Sequence, residues 1–533
     1  MPKSKKKDIP SYQNRSVIDS LVAQSGFKDE LNQYSKTIQA PIDDLKHKTK
    51  AIFKEMTAHY SPLCFSITRT IFPFLYKPIF ESFEVSGHIQ DFVDNPHTAI
   101  LLPSHRSHID YLFLSYILDH YDIAPPHIAA GINLSFFPMG PIFRKHGAFF
   151  IRRKIGGNIL YLLCLKAYLR WLVHYPVSIE LFIEGGRSRD GKLRAPQTGI
   201  LQLILDALDQ EKAHAYKIRP VSISYDFTPD VFAYAHEEYG FSKKKENAFS
   251  LLRTFMKIEK YHRVYFHFLE PISIQQWVEE NGTQKDSIRK LSQHVMHQIQ
   301  ENTVVTANQI IACSVITVPG TVFEDDLYQT CLQVRNYLIN QNVLLSDEAK
   351  EFEKTYPELL RRLCKKGWFI RQPGYRYNIT AQMKVVLNYY KYSILHYFVP
   401  VLLSIIDESE KALIKDILAY EFPTLSPKFL KTPPSIQSDA TIQTIAKSIL
   451  VPYARVLQAL HKESLDKIIH SLSIDPEKEI QEEQQSTKKL TYQKIKHAFD
   501  FLSQKNEEER KKLSHIFEKY AVSDLLDGSI QDL

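Results

Sequence analysis

Between about residues 82 and 275, short β-type runs alternate with helical ones, and this alternation constrains the fold more than any other feature of the chain. The runs FEVSG, HTAILLPS, HIAAG, GAFFI, VSIELFIEG, RPVSISY and RVYFHFLEP are apolar and rich in β-branched or aromatic residues. IDYLFLSYILDH, NILYLLCLKAYLRWLVHY and GILQLILDALDQ have helical spacing. A sheet covered by helices on both faces satisfies both periods, so an α/β core is expected. From about Ser16 to Tyr76, and again from about Ser273 onward, the apolar residues recur at helical spacing. The 533 residues exceed one ordinary core. Three regions follow: a helical N-terminal region at 1–80, an α/β domain at 81–275, and a mainly helical C-terminal region at 276–533. KTPPSIQSD near residue 435 and EKEIQEEQQSTKK near residue 483 read as exposed linkers. LLRRLCKKGWFIRQPGYRYNIT reads as helix, turn and hairpin. Packing units of that shape are commoner than DNA-binding wings, and no nucleic-acid partner is expected.

Composition narrows the function classes. The chain has only 17 glycines, about half the usual share of roughly 7%. Nine of them fall between Gly131 and Gly199. Glycine is used where backbone takes positive φ or approaches a ligand closely, so this window is the first place to look for a site. Lys and Arg outnumber Asp and Glu by 67 to 60, which permits an anionic partner without requiring one. The five scattered cysteines form no C-x-x-C pair, which argues for a reducing compartment and against structural zinc. The basic start MPKSKKK has no apolar stretch behind it, so no signal peptide is expected, and no apolar run suffices for a transmembrane helix. FSITRTIFPFLYKPIF, basic and aromatic, reads either as a core helix or as an interfacial segment in lipid headgroups.

Three strand ends carry the polar chemistry. HTAILLPS runs into His105-Arg106-Ser107-His108-Ile109-Asp110, placing His105 past a strand's carboxyl end and Asp110 in the first turn of a helix. Such positions are where α/β sheets place ligands. Asp110 is spaced to accept the Nδ1 proton of His105, leaving Nε2 free as a base. A metal reading of His105, His108 and Asp110 finds mainly arginines nearby, which repel a cation, so no metal is expected. Gly147-Ala-Phe-Phe-Ile-Arg152-Arg153 ends a β run in two arginines. Phe182-Ile183-Glu184-Gly185-Gly186-Arg187-Ser188-Arg189-Asp190-Gly191-Lys192 opens another into a glycine-rich turn with guanidinium groups, which is the physics of an anion site without Walker spacing. Pro220-Val221-Ser222-Ile223-Ser224-Tyr225 is by itself only a core strand.

Taken in this order, the four segments resemble the four motifs of the glycerolipid acyltransferases: H-x-x-x-x-D, G-x-x-F-I-R-R, F-x-E-G-x-R-S-R and a proline-containing strand. The I-R-R and the second arginine of E-G-G-R-S-R are more similar to glycerol-3-phosphate acyltransferases than to lysophosphatidate acyltransferases. VVLNYYKYSILHYFVPVLLSII is similar to a segment of the bacterial membrane-associated glycerol-3-phosphate enzymes.

The resemblance implies acyl transfer from acyl-CoA or acyl carrier protein to the 1-hydroxyl of glycerol-3-phosphate, with no other cofactor. It implies a protein peripheral or monotopic at the cytoplasmic face of a membrane. His105 would be the base and Asp110 its orienting carboxylate. Arg187 and Arg189, with Arg152 or Arg153, would hold the phosphate. Glu184, Gly185 and Ser188 would shape the acceptor pocket, with Pro220 in the fourth motif. INLSFFPMGPIF would line the acyl channel, rest on the bilayer, or be a buried connector. Dihydroxyacetone-phosphate acyl transfer uses the same groups, whereas a basic binding protein would need no catalytic histidine.

Overall fold

The computed structural model describes residues 14–522 except Pro78, 95–97, Lys154, Pro176, 209–212, His214, 239–261, 316–320, 432–438, 463–491 and Ala521. The expected linker at 477–489 lies outside the described residues, as does all but the ends of the one at 431–439. Two compact units emerge: Met1–Arg187, Pro196–Ile223 and Lys245–Ile299 form one, and Ser188–Ala195, Ser224–Lys244 and Gln300–Leu533 the other, with only the described residues of each range considered below.

The first unit is the α/β core, with strands β1 (Ser82–Gly87), β2 (Thr98–Pro103), β3 (His127–Gly131), β4 (Phe149–Ile151), β5 (Ile179–Glu180), β6 (Tyr216–Tyr225, whose last two residues are assigned to the second unit), β7 (Arg263–Phe268) and β8 (Ile272–Ser273). Seven lie side by side in the order β1-β7-β6-β2-β5-β3-β4, and β8 joins β6 in the antiparallel sense. Each β-type run read from the sequence overlaps one of these strands, though only Ile179–Glu180 of VSIELFIEG is strand. β2 is central, parallel to β6 on one side and to β5 on the other. Its sequence TAILLP is buried on both faces, which is why it reads as an unbroken apolar run.

Helices α1 (Asn14–Ala23), α2 (Ser25–Ile38), α3 (Ile42–Met56) and α4 (Pro62–Tyr76) precede the sheet; α5 (Ile89–Asp94), α6 (Asp110–His120), α7 (Met139–Lys145), α8 (Ile159–Val173) and α9 (Gly199–Asp206) are interleaved with its strands. The first four belong to the same compact unit as the sheet. Phe27 of α2 packs on Phe53 of α3 at 5.3 Å between ring centroids. Arg170 of α8 grips Glu30 of α2 through both oxygens at 3.0 and 2.9 Å, and Tyr168 Oη of α8 accepts the Ala58 amide. The second layer over α8 is therefore built from the N-terminal helices.

The second unit is mainly helical. The helix Ala381–Ile394 is buried along its length from Val385 onward apart from Asn388, so the apolar stretch from the sequence is core rather than membrane span. Its other described helices include Ala307–Val315, Glu324–Asn340, Phe352–Lys365, Lys411–Glu421, Val451–Lys462 and Tyr492–Ser503. After Phe352–Lys365 comes the expected hairpin, Ile370–Gln372 paired with Arg376–Asn378, extended by Val322–Phe323. Basic residues around that helix pair with acids, Arg361 with Glu358, Arg362 with Glu348 and Arg335 with Glu353. Among the described residues, no helix is long and apolar enough to cross a membrane.

Candidate active site

The site grows out of the adjacency of β2 and β5. Leu101 of β2 stands opposite Glu180 of β5, and Leu181 N–H donates to Leu101 O at 2.9 Å. Two parallel neighbours end at the same edge, so the histidine loop after β2 meets the glycine-rich turn after β5. Ser104 fixes the other side. Its amide donates to Val221 O and its Oγ accepts from Ile223 N, both at 2.9 Å, tying the loop to β6. Pro220 lies buried one step earlier on β6, opposite Leu102. It acts as core beneath the loop.

The loop then turns back on Asp110, the first residue of α6. Asp110 Oδ2 accepts three N–H groups: His105 Nδ1 at 3.0 Å, Arg106 N at 2.6 Å and Ser107 N at 2.8 Å. The carboxylate is fully buried at a helix N-terminus, where negative charge is favoured. A carboxylate accepts only, so the bond places the proton on Nδ1 and leaves Nε2 with its lone pair. The His105 ring stays 16% exposed, open enough to be reached. Phe182 backs it at 4.1 Å between centroids. Burial pushes the imidazole below its ordinary 6.5; Asp110 opposes this, and the positive charges of Arg187 and His108 add to it. At neutral pH His105 is an uncharged base.

The turn after β5 supports this geometry from below. Glu184 is buried, and its Oε1 accepts the backbone N–H of His105 at 2.8 Å. Its place is thus under the base. Gly185 has φ +64°, and a side chain there would meet Gln197, so the left-handed turn needs glycine. Arg187 is half-buried, near enough to His105 for its charge to act on the ring. Ser188 and Arg189 belong to the second unit; Ser188 is fully buried and Arg189 half-buried.

The arginines of the second segment go elsewhere. Arg152 donates through Nε and Nη2 to both oxygens of Glu55, each at 2.7 Å, and lies over the Tyr161 ring. In this structure the bidentate fork of Arg152, expected as an alternative to Arg153 to hold phosphate, pairs with Glu55 of α3. Arg153 is exposed in the bend after β4. Arg144 caps the end of α3, donating to Thr57 O at 2.6 Å and also to Glu55 O. No sequence signal marked Glu55. Glu180 was also missed: its carboxyl is fully buried without a hydrogen-bond partner among the described residues, and burial plus the Asp110 charge push its pKa far above the usual carboxylate range. Among the described residues no group of His, Cys, Asp and Glu is arranged to hold a metal.

Comparison with known proteins bears on this geometry. Residues 84–224, which hold the histidine loop and the glycine-rich turn, match the acyltransferase family, and residues 234–420 match the glycerol-3-phosphate acyltransferase C-terminal region. The chain belongs to the glycerol-3-phosphate acyltransferase family. It is 31% identical over 438 residues to the glycerol-3-phosphate acyltransferase of Actinobacillus pleuropneumoniae serotype 5b (strain L20), covering 78% of this chain and 53% of that protein. The glycerol-3-phosphate acyltransferase of Haemophilus ducreyi is 30% identical over 440 residues, 78% of this chain and 54% of its own. The Pasteurella multocida glycerol-3-phosphate acyltransferase is 30% identical over 416 residues. The chain spans about half the length of the curated relatives it matches. In this chain Arg152 of I-R-R pairs with Glu55 of α3, and Arg187 of E-G-G-R-S-R lies near enough to His105 for its charge to act on the ring.

Proposed function

We propose that this chain transfers a fatty acyl group from acyl-CoA or acyl carrier protein to the sn-1 hydroxyl of glycerol-3-phosphate, forming lysophosphatidic acid. The observation that carries the reading is the His105–Asp110 pair, oriented by three N–H donors on one carboxylate oxygen at the carboxyl edge of the sheet, with the Arg187 charge beside it. His105 Nε2 removes the hydroxyl proton as the oxygen attacks the thioester carbonyl. Asp110 holds the ring in its tautomer and stabilises the imidazolium. The tetrahedral intermediate then collapses, the C–S bond breaks, and the imidazolium returns its proton to the leaving thiolate. A thioester is already activated, so the acceptor attacks it directly. Arg187 supplies a guanidinium for the phosphate end of the acceptor, with Arg189 two residues further along the same turn.

The membrane surface completes the reading. On α4 the apolar residues Leu63, Ile67, Ile71 and Phe74, spaced four, four and three apart, all face solvent, Leu63 at 72% and Phe74 at 77% exposure. The opposite face packs inward, Phe72 and Tyr76 against Phe113 at 5.5 and 5.7 Å. Ser61 N–H donates to Lys145 O at the end of α7, where Ile142 is exposed too. No acidic residue occurs between Met56 and Phe80 or between Ile123 and Ile179, while Lys77, Lys145 and Arg153 are exposed. An apolar stripe in basic surroundings suits the headgroup layer of an anionic bilayer. These features support a peripheral association with the bilayer, and the five free thiols suit the cytoplasmic face.

The test is product formation by the purified chain with each donor offered in turn and glycerol-3-phosphate as acceptor. The expected product is acylated at sn-1, and Arg187→Ala is expected to raise the acceptor's KM far more than the donor's. No product with either donor contradicts the assignment.

A further inference from the structure

The segment Ser188–Ala195, which continues the glycine-rich turn, lies in the helical second unit. Gly191 has φ +91°, and a Cβ built there would come within 1.9 Å of Tyr389 O and 3.1 Å of Ser393 N. The loop backbone thus rests directly on the helix Ala381–Ile394. Next to it Lys192 points inward with a side chain only 11% exposed. Its Nζ lies 2.8 Å from Glu421 Oε1 and 3.2 Å from Asp190 Oδ2, and 5.2 Å from the centre of the Tyr392 ring. Glu421, buried at the end of Lys411–Glu421, uses its second oxygen to accept the Tyr453 hydroxyl at 2.8 Å, with His497 Nε2 at 3.5 Å. Burial alone would lower the lysine's pKa; the charges of Glu421 and Asp190 outweigh it and hold Lys192 above the ordinary lysine range. Burial likewise would raise Glu421, and Lys192 outweighs that and holds it below the carboxylate range.

A buried ion pair offers little stability over an apolar pair of equal volume, because desolvation offsets the attraction; its use is to enforce one geometry. Here the enforced geometry is that of the arginine-bearing turn. We propose that Lys192 and Glu421 clamp the segment Ser188–Ala195 and set the pose of Arg189, making both positioning residues for the acceptor's phosphate. The proposal rests on the functional reading above in taking glycerol-3-phosphate as the acceptor. Neither residue touches substrate; both act through the backbone that carries Ser188 and Arg189.

The test is Lys192→Met/Glu421→Gln in the full chain, which removes both charges together and so leaves no buried charge uncompensated. Melting temperature is recorded alongside KM for acceptor and donor. The acceptor's KM is expected to rise by about tenfold to 10²-fold, as misplaced binding groups do, with the donor's KM unchanged. Lys192→Arg, which keeps the charge, is expected to restore the acceptor's KM. Should the double variant fail to fold, Tyr453→Phe loosens Glu421 without altering charge and is expected to raise the same KM. An unchanged acceptor KM, or an equal rise for both substrates, overturns the clamp. If the unmutated chain shows no acceptor-dependent transfer, the functional reading falls instead. Amide exchange over residues 185–193 then decides the clamp, faster in the double variant if it exists and unchanged if it does not.

Discussion

His105 is uncharged at neutral pH because the cost of burying an imidazolium outweighs what Asp110 returns. The sign of the pH dependence follows. In the proposed mechanism only the neutral ring can take the acceptor's proton, so protonation is expected to remove activity as pH falls through the folded pKa. Because that pKa is lowered, the acid limb of kcat/KM for the acyl donor is expected below pH 6.5. In Asp110→Asn the opposing contribution is gone, so the limb moves further to acid while the plateau drops by roughly 10²- to 10⁴-fold. A pH–rate profile of the two proteins checks both; a limb above 6.5 in the unmutated chain contradicts the assignment. At this scale the sequence was informative where chemistry is local. Five residues separate His105 from Asp110, and a turn of that length closes on itself. Arg152 shows the opposite case: its partner Glu55 lies 97 residues away on a helix, and nothing local in the sequence announces that pairing.

The elements follow their periodicity. Every β-type run between residues 82 and 275 overlaps a strand, and the central one, β2, is a continuous apolar run because both its faces are buried. α4 is the element whose sequence supports two readings, core and interface, and the structure shows why: Phe72 and Tyr76 pack on α6, while Leu63, Ile67, Ile71 and Phe74 are exposed among Ser66, Arg69 and Thr70. Burying a Leu or Phe side chain contributes about 1.5–3 kcal/mol, so Leu63→Ser/Phe74→Ser is expected to weaken binding to anionic phosphatidylglycerol vesicles by roughly tenfold or more. Co-sedimentation with vesicles measures this. Binding equal to that of the unmutated chain would remove the membrane role from α4.

Across the whole molecule, composition and period suggest three regions, and the described residues group into two compact units. The N-terminal helices join the sheet's unit through α8, by contacts such as Arg170 with Glu30, which no local pattern announces. The glycine-rich turn passes from one unit to the other at Arg187, and Lys192 finds Glu421 229 residues away. Long-range pairing of this kind is decided by packing, and a single sequence carries no trace of it. What the sequence did carry, the ordered motifs, places His105, the proposed base, outside the glycine-rich window, and the turn proposed to bind the phosphate within it. The central claim is that His105 is the base for acyl transfer to glycerol-3-phosphate. Its most direct test is the rate of lysophosphatidic acid formation by His105→Ala, verified as folded, against the unmutated chain at saturating donor and acceptor. The expected result is a fall of about 10²- to 10⁴-fold with the melting temperature maintained; a folded variant that transfers acyl groups at close to the original rate would contradict it.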